Sequence, residues 1–362
     1  MAFEMKKESF FRRFFRIRGM GPALTAFAGL IVIYIAFGVI NNAVFSPSNI
    51  MNLLRSMSIY LLVGIGQSYV LITGNIDLSI GSVAGISAMI SATLMTHGIP
   101  AIDSILIAIA CCLFIGLING VLVGKFGLPP FIATLGTMFI ARGVAFMVND
   151  NHNTDAISSG IGKEAADRLG TFFYYGRTKD VFTTFSGRAP GIFNTFLIAM
   201  TLFAVFFFLL SKTRTGRHIY AIGSNIEAAK LSGVNVQATI TKAYLVSSFN
   251  ACVVGLILCA QSGMGNMEAG NMYEMYGVAA GVIGGISPLG GTGILLGTLA
   301  GAAVWQTLEN GLSMVGAPAG IQRVVIGVIV VVAALLDVVL RSGKKGKSNN
   351  AIRRPQETGS RK

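Results

Sequence analysis

The sequence predicts an all-α membrane protein of about ten transmembrane helices. Of its 362 residues, 53% are hydrophobic and only 12% are charged, whereas about a quarter of the residues in a typical soluble domain are charged. Apolar runs close to the ~20 residues needed to cross a bilayer recur along the chain. Together these observations exclude a soluble globular domain as the main body of the protein.

The apolar runs predict ten helices, two of which differ from ordinary membrane spans. The run at 276–287 is too short to cross alone, and the run at 79–96 begins in a polar turn flanked by glycines. Either could be a broken or re-entrant helix, which is tolerated where the backbone is buried in protein or lines a cavity. The predicted ranges in chain order are 22–42, 56–73, 79–96, 104–124, 130–149, 191–211, 238–260, 276–287, 291–312 and 321–340.

Lys and Arg in the short connecting segments predict the orientation of this bundle. The N-terminal segment 1–21 has six basic residues, and Arg341 together with the tail 342–362 has eight. The loop 212–237 has Lys212, Arg214, Arg217 and Lys230 against the single acidic residue Glu227. We therefore expect a transmembrane permease domain at 22–341, with both termini and the loop 212–237 in the cytoplasm. An even number of crossings agrees with this placement.

The segment 150–190 has a different charge balance. Its five basic residues are matched by five acidic residues, so we expect an external loop that either contacts another protein or is simply solvated. The net charge of +13 then reflects orientation in the membrane, and we expect no nucleic-acid partner.

A polar segment interrupts the apolar pattern at "GNIDLSIGSVAG", which begins at Gly74. Asn75, Asp77 and Ser79 lie here between apolar runs, and an ionisable residue at membrane depth often marks a transport pathway. Alternatively, Asp77 or Ser79 caps the helix that follows and satisfies its free N–H groups. The two roles are compatible, since a break that lines a cavity also needs capping.

A second polar group lies on one face of a later predicted helix. Gln306, Glu309 and Asn310 are spaced at i, i+3 and i+4, so they share that face. The face either lines a route through the membrane or pairs with Arg142 or Arg323 as a structural contact.

No catalytic or metal-binding constellation is visible in the sequence. The four cysteines lie inside apolar runs, where thiols behave as small hydrophobic groups. The tail segment "GKKGKS" at 343–348 ends like a phosphate-binding loop, but the position of the required first glycine is Arg341. We therefore expect a transport subunit that is not an enzyme, has no metal site and carries no ATPase site, so that ATP-driven transport would need a separate ATPase subunit.

The loop 212–237 contains a short helix-forming segment, "NIEAAKLSG", from Asn225 to Gly233. Asn225 is suited to cap the helix, Glu227 is favourable near its positive end, and Gly233 can end it. Ala228 and Ala229 leave one side of the helix small enough to fit a groove of another protein. A connector between two crossings would be the simpler alternative.

This segment resembles the coupling motif of ABC importer permeases, Glu-Ala-Ala followed by three residues and Gly, which docks on the ATPase subunit. Three further motifs extend the resemblance: "GNIDLSIGSVAG", "NGVLVGKFGLPPFIATLGTMFIARG" from Asn119, and "VAAGVIGGISPLGGTGILLGTLAGA" from Val278. Together they cover most of the chain from about 50 to 340. They are similar to the ribose, galactoside, arabinose and xylose branch of these permeases.

The resemblance implies a fold similar to the vitamin B12 permease, with broken or re-entrant helices and a second copy of the chain or a related half. It also implies a multi-pass protein of the bacterial inner membrane that imports a pentose or hexose delivered by an extracellular binding protein. ATP and Mg²⁺ would be bound by the partner ATPase, and this chain would need no cofactor. Asn225, Glu227, Ala228, Ala229 and Gly233 would form the docking helix. In other branches this loop continues into a proline-containing tail, which 234–239 lacks. The resemblance therefore assigns a docking role to these five positions only.

We place the expected substrate path at the polar break, with Asn75, Asp77 and Ser79, and at the backbone carbonyls near Gly284 and Gly285. The competing hypothesis is a secondary transporter coupled to protons or sodium, in which Asp77, Glu309 or Arg142 would be the coupling residue.

Overall fold

The computed structural model describes residues 20–158, 162–170, 172–173, 194–329, 331–332 and 335, and these residues form helices and connecting loops without a strand. The terminal segments 1–19 and 342–362 and most of 171–193 lie outside the described residues. The predictions for those segments are therefore not addressed by the structure.

Thirteen α-helices are described, numbered here in chain order; a short 3₁₀ helix at Asn42–Phe45 follows the first. The helices are α1 Met20–Ile40, α2 Pro47–Ile72, α3 Ile80–Thr96, α4 Ala101–Gly124, α5 Pro130–Met147, α6 Lys163–Gly170, α7 Asn194–Lys212, α8 Arg214–Ser224, α9 Ile226–Leu231, α10 Val236–Ser262, α11 Tyr273–Ile283, α12 Leu295–Met314 and α13 Ala319–Ile329.

Five of these helices are long and apolar enough to cross a membrane, namely α1, α4, α5, α7 and α10. These helices differ in how much of their most apolar 18-residue stretch is buried. The buried share is 78% in α10, but only 17% in α1 and 28% in each of α4, α5 and α7. An outer ring of helices with exposed apolar faces is the arrangement expected in lipid. The structure therefore supports an all-helical membrane protein, and the predicted number of ten crossings stays a prediction.

α2 and α10 form the centre of the bundle. Every residue of α2 from Leu61 to Ile72 is buried, and α10 packs closely against α2, α3 and α4. The close packing depends on small residues, as is usual between membrane helices. For example, a methyl group on Gly120 of α4 would lie 2.5 Å from the Thr241 Cα of α10.

Nine of the predicted helices match observed helices in position, and the tenth, at 321–340, begins with α13 but extends into residues outside the described part of the chain. The differences among the nine have local causes. α2 begins nine residues before the predicted start of 56, because Ser46 caps the helix and Pro47 occupies its first turn. Because polar residues follow this first turn, a search for apolar runs does not detect it. The short run predicted at 276–287 is α11, and it ends at Ile283 because Gly284 and Gly285 turn the chain. The loop predicted at 150–190 contains the short helix α6.

Candidate functional site

The polar break between α2 and α3 is built around Asp77. One carboxylate oxygen, Oδ1, accepts hydrogen bonds from the Ser79 backbone N–H at 2.9 Å and from the Ser79 hydroxyl at 2.6 Å. The other, Oδ2, accepts from the Ser247 hydroxyl of α10 at 2.6 Å. Asp77 thus satisfies the N–H of Ser79, the N-cap residue of α3, whereas the Ser79 side chain makes no capping hydrogen bond to the helix.

The same hydrogen-bond network extends across the bundle. Asn119 of α4 donates from Nδ2 to the Ser79 hydroxyl oxygen at 2.9 Å, and its Oδ1 accepts from Thr137 of α5 at 2.6 Å. Asp77, Ser79 and Asn119 are completely buried. The network therefore fixes the polar break to α4, α5 and α10, and in this conformation Asp77 and Ser79 do not face an open path.

Asn75 is the one predicted residue of this break that is only half-buried. Its Nδ2 donates to the Thr73 hydroxyl at 2.8 Å. The structure brings Asn75, Asp77 and Ser79 into one short segment, with Asn75 closest to the surface of the bundle.

A second break between helices is the loop 284–294, which connects α11 to α12. Gly284 and Gly285 are buried, and Gly285 has a φ of +85° and lies against Pro22 of α1. The loop is closed by a hydrogen bond from the Ser287 N–H to the Thr292 carbonyl at 3.1 Å. Gly291 N–H donates to the Ile72 carbonyl at the end of α2, at 2.8 Å. The two breaks, each predicted from its sequence, are therefore in direct contact.

The segment that precedes the predicted docking helix contacts both breaks. Gly223 of α8 lies so close to the Ile72 carbonyl that any side chain there would collide with it, and Ser224 packs against Gly291. The Tyr220 hydroxyl donates to the Gly293 carbonyl at 2.8 Å. Burial raises the pKa of Tyr220 to about 12, so the hydroxyl keeps its proton and the hydrogen bond further into the alkaline range than an exposed tyrosine would. A movement of α8 would therefore reach both breaks directly.

The predicted docking helix is α9. Asn225 caps it, because its side-chain oxygen accepts from the Ala228 N–H at 2.9 Å, and Gly233 follows its end with a φ of +80°. Both local predictions are confirmed. Ala229 is buried against the chain, whereas Glu227 and Ala228 are exposed.

Leu231 is 90% exposed at the end of α9. With Ile226, which is 44% exposed, Leu231 is one of two exposed large apolar side chains of α9, a signal that is visible in the sequence of this polar loop. It adds an apolar contact to the surface formed by α9. The contacts of Gly223 and Tyr220 with the breaks could not be read from local spacing, because they join segments far apart in the chain.

The polar face of α12 has partners different from those considered from the sequence. Glu309 Oε2 accepts from the Tyr60 hydroxyl of α2 at 2.7 Å, and Asn310 exchanges side-chain hydrogen bonds with Asn49. Arg142 instead donates to the carbonyls of Met267 and Ala269, at 2.8 and 2.9 Å. Arg142 therefore holds the loop between α10 and α11 in place.

Comparison with known proteins places these features in a family. Residues 49–334 match the model of a family described as the permease component of branched-chain amino acid transport systems. The chain belongs to this permease family. The family and the apolar helices make it a multi-pass protein of the bacterial inner membrane.

Several curated relatives of this permease match over nearly their whole length. The ribose import permease of Bacillus subtilis is 33% identical over 319 residues, covering 88% of this chain and 94% of the relative. The D-allose transport permease of Escherichia coli is 30% identical over 310 residues, covering 85% and 89%. The fructose import permease of Rhizobium meliloti is 31% identical over 322 residues, covering 88% and 86%. The resemblance to sugar permeases inferred from four motifs is confirmed. No solved structure matches this chain.

Proposed function

We propose that this permease is the membrane-spanning subunit of an ATP-driven importer for a monosaccharide, a pentose or hexose of the ribose and galactose type. The observation that carries the proposal is the similarity to permeases named for ribose, allose and fructose, at 30–33% identity over 85–88% of the chain. The family description names branched-chain amino acids, but these three relatives share monosaccharides as cargo. No comparable observation favours the ion-coupled transporter.

The proposal requires partners. A separate ATPase subunit binds ATP and Mg²⁺ and docks on the surface formed by α9, where Glu227, Ala228 and Leu231 are exposed. An extracellular binding protein delivers the sugar on the opposite side, and a second copy of the chain completes the permease. The charge pattern of the sequence supports a bundle of ten crossings with both termini in the cytoplasm. The architecture we propose is that of the vitamin B12 permease.

Transport in this scheme follows alternating access. ATP binding closes the two ATPase subunits and displaces α9 together with α8. Because Gly223, Ser224 and Tyr220 contact both chain breaks, the displacement moves 72–74 and 290–293 together. Asn75, Asp77, Ser79, Gly284 and Gly285 remain our proposal for the part of the path that this movement opens. The buried network around Asp77 would then separate during transport.

Affinity purification followed by mass spectrometry tests the proposed ATPase partner. The tagged wild-type protein, extracted in mild detergent, should retain an ATPase subunit, and Gly233→Asp should lose it, since a φ of +80° is strained for any side chain. Gly316→Asp is the matched control: Gly316 has a φ of +75° and open space around it, like Gly233, but follows α12. Failure of stable wild-type protein to retain any ATPase in several detergents would favour the ion-coupled transporter.

A further inference from the structure

Four aromatic side chains from three helices form a cluster beside the centre of the bundle. They are Tyr60 of α2, Tyr273 and Tyr276 of α11, and Trp305 of α12, called here the aromatic cluster. Ring centroids are 5.5 Å apart for Tyr60 and Tyr276, 5.1 Å for Tyr276 and Trp305, and 5.6 Å for Tyr273 and Tyr276. The rings are tilted or edge-on to one another, so their faces point in several directions.

The aromatic cluster is accompanied by polar groups that an ordinary core would not contain. Glu309 lies one helical turn after Trp305 and accepts a hydrogen bond from the Tyr60 hydroxyl at 2.7 Å. Within the described residues, the buried Trp305 Nε1 has no hydrogen-bond partner, and neither does the buried Gln306 Oε1. Both side-chain atoms Oε1 and Nε2 of Gln67, two turns after Tyr60 on α2, are also buried without a partner. Buried polar groups normally find a partner, so these four atoms keep hydrogen-bonding capacity that a ligand rich in hydroxyl groups would satisfy.

The aromatic cluster is partly accessible. Tyr60 is half-buried, although the α2 residues on both sides of it, 57–59 and 61–72, are buried, so Tyr60 is an accessible point within an otherwise buried part of α2. Tyr273 and Tyr276 are also half-buried and lie in the first turn of α11, at the end opposite the break at Gly284. Tyr273 additionally borders a cavity of about 330 Å³ whose polar lining includes Gln261, Glu268 and Asn271. A volume of this size is within the range of small-molecule sites.

These groups match the chemistry of a monosaccharide. The faces of a sugar ring carry C–H bonds with a small positive charge, which are attracted to the negative faces of aromatic rings. The ring edges carry hydroxyl groups that can donate to a carboxylate such as Glu309 and bond with the amide of Gln67. A cluster that only filled space would need neither the carboxylate nor the unpartnered amide.

We propose that the aromatic cluster, with Glu309 and Gln67, is a sugar-contacting site on the translocation path. It receives the sugar from the cavity bordered by Tyr273. The proposal rests on the proposed import of a monosaccharide and deepens it by naming residues that touch the cargo. The proposal places the first contact between the sugar and the permease at the end of α11 that lies opposite Gly284 and Gly285.

Trp305 provides a direct probe, because it is the only tryptophan in the chain. Intrinsic fluorescence of the purified wild-type protein in nanodiscs should change saturably on titration with at least one of ribose, allose and fructose. Ribitol, which has the hydroxyl groups but no ring face, should cause a change at least tenfold smaller. A wild-type protein that imports a sugar but shows no fluorescence change with that sugar would overturn the assignment.

Variants extend the test to transport. Tyr276→Leu and Glu309→Gln should each raise the KM for uptake about tenfold, while membrane abundance stays near wild type. Tyr69→Phe is the control, since Tyr69 is on α2 as well but bonds the Phe206 carbonyl. Its KM should be unchanged.

The outcomes distinguish a failure of the proposed import function from a failure of the proposed sugar-contacting site. If the wild-type protein, with its ATPase and binding protein, accumulates no pentose or hexose, galactose included, the proposed function fails. If it accumulates one and the two cluster variants have a normal KM, import stands and the sugar-contacting site is refuted. A variant that becomes monomeric on size exclusion but keeps a normal KM would assign the aromatic cluster to a subunit contact and also refute the site.

Discussion

Replacing Asp77 with Asn and with Ala distinguishes two roles for this buried carboxylate at membrane depth. One role is structural, through its hydrogen bonds, and the other is ion coupling. In the structure, Asp77 accepts three hydrogen bonds: two from Ser79 and one from Ser247. Asn can keep all three contacts, because its oxygen accepts from Ser79 and its NH₂ group can donate to the Ser247 oxygen. Ala removes all of them. An ion-coupling residue, by contrast, needs the ionisable group itself, so neither variant would preserve coupling.

The structure sets the size of the expected effect. In Asp77→Ala, the Ser79 N–H is left buried without an acceptor, which costs about 1–3 kcal/mol. The two serine hydroxyls can turn to backbone carbonyls, so each loses about 0.6 kcal/mol, the average for side-chain hydrogen bonds measured in a membrane protein. The sum is a destabilisation of roughly 2–4 kcal/mol for Ala. For Asn, which keeps the contacts, we expect less than about 1 kcal/mol.

Two assays on the same variants check this reasoning. Thermal stability in detergent, followed by size exclusion with fluorescence detection, should fall clearly for Asp77→Ala and little for Asp77→Asn. Initial sugar uptake, normalised to membrane abundance, should be lost or strongly reduced in Ala and largely kept in Asn. Asp103→Asn, at an exposed carboxylate in the first turn of α4, controls for loss of charge. Complete loss of uptake in a stable, abundant Asp77→Asn protein would refute the structural role and favour ion coupling. Normal uptake in Asp77→Ala would remove Asp77 from the proposed path.

Three further predictions concern the contact between α8, α9 and the chain breaks. Gly223→Ala introduces a methyl group against the Ile72 carbonyl and 2.5 Å from Gly291 N, so it should destabilise by about 1–3 kcal/mol and reduce uptake; Gly136→Ala, in open space on α5, should do neither in the same thermal and uptake assays. Leu231→Asp should abolish copurification of the ATPase without lowering the melting temperature, because Leu231 is 90% exposed; retention of the ATPase would exclude Leu231 from the docking surface. Tyr220 has its pKa raised from 10.0 to about 12, so its contribution to stability is complete below pH 10 and is lost as pH rises towards 12; Tyr220→Phe should remove that pH dependence, measured as melting temperature against pH, and an unchanged profile would contradict it.

Local sequence signals predicted much of the fold. The start of α3 and the short α11 followed from glycines and polar residues inside apolar runs, and the cap at Asn225 followed from its position before Glu227. The early start of α2 was missed because 47–55 is polar at several positions, although Ser46 and Pro47 form a recognisable helix start. Hydropathy alone does not detect such a cap.

The candidate site was predictable only in part, because its contacts join distant segments. Asp77 stood out in the sequence, but its partner Ser247 lies 170 residues away and the linked Asn119 lies 40 residues beyond Ser79. Tyr60, Tyr276 and Trp305 look like ordinary core aromatics in their own helices, and only the packing of α2, α11 and α12 brings them together. Spacing rules act within one helix, so they cannot reveal either group.

ATP-driven sugar accumulation in proteoliposomes tests the proposed function most directly. Vesicles would contain the permease with its copurified ATPase, with ATP and Mg²⁺ on the ATPase side, and the binding protein with radiolabelled ribose, allose or fructose on the other side. We predict accumulation of at least one sugar that requires hydrolysable ATP and is insensitive to ionophores. Accumulation that is driven by a proton or sodium gradient without ATP, and is abolished by ionophores, would contradict the proposal.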